Sequence, residues 1–172
     1  MATNKFVAAE LIKLEYAPIP ATGLPQNTAW VEIENIHEDT FKLIENPPNI
    51  DPYKDVHGNT YHNDIEAGDV AFEATIGKYD LRTKHILQGG TITAATPTRG
   101  ATWMPPVSPE LIYKAVRGTT KDGVAITFPR AQVVANATDN KKAIGQGVRF
   151  IPLRPLDPAL RTVIWDDGTP SA

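Results

Sequence analysis

The chain has no cysteine among its 172 residues. That excludes disulfide staples, thiolate-ligated zinc, iron–sulfur clusters and thiol nucleophiles, and leaves the compartment open. Serine is nearly missing too. Ser108 and Ser171 are the only two, and Ser108 lies between Val107 and Pro109 with no Gly-x-Ser-x-Gly elbow, which argues against a serine hydrolase. No uncharged apolar run approaches the roughly 20 residues that cross a bilayer, so no membrane span is expected. Lys5, Glu10 and Lys13 interrupt the stretch that a secretory signal would keep apolar, so the N-terminus reads as mature chain.

What the chain has in excess is proline. With 15 prolines and 12 glycines there is little room for long helices, yet these breakers are spread among apolar segments rather than massed in a tail. The length suits one domain, 1–172, large enough to bury a core without staples. Charge is divided unevenly. Residues 1–75 carry 13 acids and 4 bases, net −9, while residues 76–172 carry 7 acids and 13 bases, net +6. A separation of this kind, if kept on the surface, lets one face of a subunit attract another face of a neighbour; folding that intermixes the halves would erase it. An overall net charge of −3 argues against a general nucleic-acid binder.

Along the chain, residues 6–16 suit a strand leading into Pro18, and residues 30–36 (WVEIENI) alternate as a strand with a wet acidic face. Residues 40–45 continue or partner it. Residues 46–68 show no apolar period and read as a long loop anchored by Ile50, Tyr53 and Tyr61. Residues 70–76 (VAFEATI) are a clear strand, and Asp80 caps a short helix, DLRTKHILQ, closed by Gly89 and Gly90. Further strands are expected over TITAAT, ELIYKAVR, VAITF, RAQVVANA and AIGQGVRFI, with Asp122-Gly123 as a hairpin turn and a brief pairing near 161–165. The fold class is therefore mainly β: an antiparallel β-sandwich or barrel with one short α-helix, a long inter-strand loop and extended termini.

Chemistry finds little support. His57 and His62 share the long loop with Asp51, Asp55, Asp64 and Glu66, but without the spacing of a metal motif, so the loop reads as solvated and acidic. Glu32, Glu34 and Glu73 alternate along strands, as wet faces do, rather than forming a glycosidase pair. Gly145 and Gly147 lack the lysine and helix of a phosphate loop and mark a close backbone approach instead. Asn136-Ala137-Thr138 is a sequon without a displayed secretory route, and Lys141-Lys142 is the only adjacent basic pair in the second half. Trp30, Trp103 and Trp165 suit core or interface anchors. No catalytic residue, metal or cofactor is expected, so the chain reads as an assembly protein rather than an enzyme.

The order of elements carries a resemblance. The acidic-faced strand, the long loop, VAFEATIGKYDLRTKHILQGG, the hairpin ELIYKAVRGTTKDGVAITFPRAQVVANA and the trailing AIGQGVRFIPL together resemble the major tail tube proteins of tailed bacteriophages. Type VI secretion tube proteins are similar in architecture. The resemblance covers residues 29–153; there is no immunoglobulin-like appendage, and the C-terminal extension, 152–172, has no assigned role. It implies two β-sheets packed as a sandwich or barrel and flanked by the helix, and hexameric rings stacked into a tube through which DNA passes without specific binding. It also implies a ring-bridging role for the loop at Ile50, Tyr53 and Tyr61, contacts with other tail proteins, and a place in the virion tail after assembly in the bacterial cytoplasm.

In such a tube Glu32, Glu34 and Glu73 are the expected lumen-facing acids, repelling phosphates so that the genome slides. Two alternatives stand beside it: a capsid decoration or other virion β-protein, and a carbohydrate-binding sandwich with Trp30, Trp103 or Tyr113 as a stacking platform. The prolines at 18, 20 and 25, at 47, 48 and 52, and at 152, 155 and 158 are expected to stiffen segments that dock on neighbours.

Overall fold

Residues 8, 10–139 and 143–168 are described by the computed structural model. The sequence at 70–76 shows most directly why the chain folds as it does. In β6 (Val70–Ile76) the side chains of Phe72, Ala74 and Ile76 enter the core while Glu73 and Thr75 face out, the period-two pattern of a half-buried strand. The same alternation runs through β1 (Leu11–Ala17), β9 (Ile112–Thr120), β10 (Ala125–Asp139) and β11 (Ile144–Pro152). With the two short strands β2 (Val31–Glu32) and β3 (Lys42–Glu45), they form one antiparallel sheet in the order β2-β1-β9-β10-β11-β6-β3. The short β12 (Ile164–Asp166) adds to β10 beside β11.

VAITF and RAQVVANA are one strand. Pro129 would remove a ladder hydrogen bond from a central strand, and the register shift between Phe128 and Ala131 is the bulge that absorbs it. The turn between β9 and β10 is the expected one, with Gly123 at φ 94° and its N–H bonded to the Thr120 carbonyl.

The sheet closes on itself. Tyr16 pairs with Val31, and Ile33 N–H donates to Leu14 on β1. A few residues on, the same segment reaches β6: Ile36 bridges Ile76, His37 N–H donates to Thr75, and Gly77 N–H donates to Asn35. Asn35 and Asp39 make the bends with φ of 58° and 61°, the left-handed region that these two residue types tolerate best. Only Val31–Glu32 of the strand expected over 30–36 is regular, because the segment must turn from one edge strand to the other. The result is the mainly β, antiparallel architecture expected, with one main sheet wrapped into a barrel around the core.

Inside it, Phe72 stacks on Phe128 at 4.4 Å between ring centroids, with Leu14, Val116, Val148 and Phe150 around them. α1 (Leu81–Gln88) lies against β10 and buries Leu87. Asp80 caps it by accepting from Thr83 N–H at 2.7 Å, and Gly89 ends it at φ 72°.

Two expectations are corrected here. Residues 46–68 are no structureless loop: β4 (Asn49–Lys54) and β5 (Thr60–Glu66) pair as an antiparallel ribbon. Its alternation was masked by Pro52 and by the polar residues of a ribbon that is wet on both faces. A second, smaller ribbon joins β7 (Thr91–Thr93), inside the strand expected over TITAAT, to β8 (Thr102–Met104), which was not expected. The C-terminal extension is not a free arm either. Val163 packs on the core, β12 pairs with β10, and Asp157 accepts from Gly23 N–H at 2.8 Å, which ties the proline-rich segments around Pro20–Pro25 and Pro155–Pro158 to each other within one subunit. Residues 1–7, 9, 140–142 and 169–172, including Lys141 and Lys142, lie outside the described residues.

Candidate assembly surfaces

The outer face of the barrel carries two ion-paired groups. In the first, the buried Glu15 of β1 takes Lys13 Nζ at 2.9 Å and Arg117 Nη2 and Nε at 2.9 Å each, and Lys13 also reaches Glu32 at 3.8 Å. The Arg117 guanidinium lies 4.5 Å over the Trp30 ring. In the second, Glu73 sits between Lys42 and Arg149, 3.6 Å from each. The registers Glu15↔Glu32, Glu15↔Arg117, Arg149↔Glu73 and Lys42↔Glu73 place all of these side chains on the solvent side of the sheet.

Of the three acids expected together, Glu32 and Glu73 share this face at opposite ends of the sheet. Glu34 lies past the end of β2 and outside the paired register; with Glu32 it lines an open cleft of about 500 Å³ between β2 and α1, beside Tyr16, Tyr79 and Arg82. Sequence reading missed the counter-charges Lys13, Arg117, Lys42 and Arg149. Only Lys13 is adjacent to its partner in sequence, and the others come from strands that pairing alone brings near.

Burial pushes the Glu15 carboxyl upward, but hydrogen bonds from Lys13 and Arg117 overcome it and hold the group below its ordinary value of 4.5. Asp80, held by the Thr83 N–H, is likewise lowered. Both carboxyls bind protons less tightly folded than unfolded, so their contribution is complete above the unfolded values and is lost as pH falls through the folded ones. Denaturant midpoints therefore decline steeply as pH drops below about 4.5. Glu15→Gln will cost about 1–3 kcal/mol near neutral pH, by stranding Arg117, and will flatten that acid limb. An unchanged limb in a urea titration of the variant removes Glu15 from this role.

The aromatic residues proposed as a sugar platform are dispersed. Trp30 lies under Arg117, Tyr113 under Arg130 at 4.7 Å, and Trp103 donates its indole N–H to Gly89 with Lys84 4.6 Å above the ring. None of the three tryptophans belongs to the core cluster. Gly145 and Gly147 are approached most closely by side chains rather than by backbone: an added Cβ would lie 2.8 Å from Thr75 Cγ2 and 2.7 Å from Thr138 Oγ1.

The β4–β5 ribbon is the most exposed part of the described chain, with every residue of both strands solvent-accessible. Asp55 builds its turn, accepting from His57 and Asn59 N–H groups at 2.8 and 2.9 Å, and Gly58 completes it at φ 81°. Ile50 pairs with Ile65, and Tyr61 follows on the same side, giving an apolar face. The other side pairs Asp51 with Asp64, Asn49 with Glu66, and Tyr53 with His62, whose rings lie 5.7 Å apart. The anchors Ile50, Tyr53 and Tyr61 are thus divided between two faces. Among the described residues no group of histidines and carboxylates is arranged to hold a metal ion, and no helix is long and apolar enough to cross a membrane. Comparison with family models and with curated proteins found no match.

Proposed function

We propose that this chain is a structural subunit of a tube, of the bacteriophage tail tube kind, forming hexameric rings that stack around a channel for DNA. The observation that carries the reading is the ribbon: a two-stranded arm that pairs with no third strand among the described residues, beside a closed and well-packed barrel. An isolated two-stranded ribbon is marginal in water, and one with an apolar face gains most by lying against another chain. Ile50, Tyr53 and Tyr61 are then ring-stacking contacts. The outer sheet face with Glu32 and Glu73 is the proposed channel wall. Their salt bridges make that wall a mosaic of paired charges rather than bare carboxylates, which still offers phosphates no unpaired cationic track at those positions. The subunit would act in the virion tail, with other tail proteins as neighbours, and without catalysis or a cofactor.

Negative-stain microscopy of the purified protein across concentration and salt is the test. Hollow rings or filaments of constant diameter are expected. Particles that stay monomeric at high concentration, or closed trimers, overturn the tube reading, the trimers in favour of a decoration protein.

A further inference from the structure

We infer that the acidic face of the β4–β5 ribbon docks on a second copy of this chain, at the patch formed by Leu111, Tyr113, Arg130 and Arg154. The inference rests on the assembly reading and names the surface that receives the arm.

The donor side has an unusual feature. Asp51 and Asp64 stand directly opposite each other in the ladder, with Glu66 one pair further along, and like charges in that position destabilise a ribbon. Among the described residues no cation lies within 4 Å of any of the three. The only bases of the ribbon are Lys54 and the histidines near its turn. Beside the carboxylates, on the same face, are the rings of Tyr53 and His62, tilted at 47° to each other with centroids 5.7 Å apart.

The receiving side has the opposite character. The Arg130 guanidinium lies over Tyr113, 4.7 Å from the ring centroid, and one of its Nη atoms donates to the Arg154 backbone carbonyl at 3.5 Å, which brings the two residues next to each other. Leu111, just before β9, is 68 % exposed and lies two residues from Tyr113. No carboxylate among the described residues pairs with Arg130 or Arg154, whereas Arg117 and Arg149 on the same barrel are already engaged by Glu15 and Glu73. A planar guanidinium held over an aromatic ring, as that of Arg130 is, is preorganised for a carboxylate, the exposed Arg154 adds a second positive charge nearby, and Tyr53 supplies a further ring. Among the described residues of one subunit the arm and the patch make no ion pair, so the match is satisfied between copies.

The experiment compares association of the full chain by sedimentation velocity. Asp51→Lys/Asp64→Lys and, separately, Arg130→Glu/Arg154→Glu are expected to weaken self-association by about tenfold or more, and the chain carrying all four changes to recover it. Because the protein has no cysteine, Asp64→Cys with Arg154→Cys gives a second readout that needs no charge reversal: oxidation should yield disulfide-linked oligomers, and neither single cysteine variant should. Tubes that form normally in both reversed variants, or four changes that fail to restore association in a chain still folded by circular dichroism, overturn the docking and leave the tube reading intact. Association that responds to the charge exchange but builds no tube supports the docking and removes the tube reading. A wild-type chain that neither associates nor cross-links overturns both.

Discussion

Replacing residues 47–68 by a two-residue Asn-Gly turn will leave the barrel folded and abolish assembly. The geometry at the root of the ribbon permits the shortcut. Glu45 pairs with Val70, and Asn46 N–H donates to the Asp69 carbonyl at 2.9 Å, so the ladder between β3 and β6 already brings the two chain ends to the spacing of a tight hairpin. Gly68 is needed there only because a Cβ would strike the Asn46 carbonyl, a constraint that leaves with the arm. No residue of β4 or β5 belongs to the core cluster, so thermal stability should change by no more than about 0.5 kcal/mol. Ring and filament formation should disappear. A shortened chain that melts at the same temperature and still builds tubes denies the arm its role; a chain that no longer folds shows that the ribbon supports the barrel in a way its contacts do not reveal.

Local patterns were legible in the sequence where one physical cause acts alone. The alternation of 70–76, the Asp80 cap with its Gly89 stop and the Asp122-Gly123 turn are each fixed by residues within a few positions of one another, and each appears as read. The ribbon was illegible because its two faces are both exposed. Without a buried side there is no core to impose alternation on residues 49–66, and Pro52 in an edge strand looks like a breaker although it needs only an outward-facing position. Barrel closure was illegible for a different reason. It depends on a segment that leaves β1 near Ile33 and joins β6 near Ile36, two pairings about 20 and 40 residues apart in sequence that no local period encodes. The charge separation between the chain halves is also resolved only by pairing. Glu15 meets Arg117 and Glu73 meets Arg149, so two first-half acids of the barrel pair with second-half bases, while among the described residues no ion pair holds Asp51, Asp64 or Glu66 on the arm.

The second large effect lies in the core. Phe72 is fully buried, stacked on Phe128 at 4.4 Å and tilted against Phe41 at 5.7 Å, and it reaches across the barrel interior to β9. The tip of its ring explains the glycine opposite: a Cβ at Gly118 would lie 2.8 Å from it. Phe72→Ala removes the ring from a closed barrel whose strands cannot collapse freely around the void, and should cost about 3–5 kcal/mol. For a chain of this size that is a fall of about 10 °C in melting temperature. Val134→Ala, on the outer face and 46 % exposed, is the comparison and should be near neutral. Gly118→Ala should cost about 1–3 kcal/mol by crowding the same ring. If Phe72 is what Gly118 accommodates, the alanine penalty at 118 will vanish in the Phe72→Ala background, since the atom it would strike is gone. Strict additivity of the two changes in denaturant unfolding would place the need for glycine elsewhere and break the link between the ring and the small residue it faces.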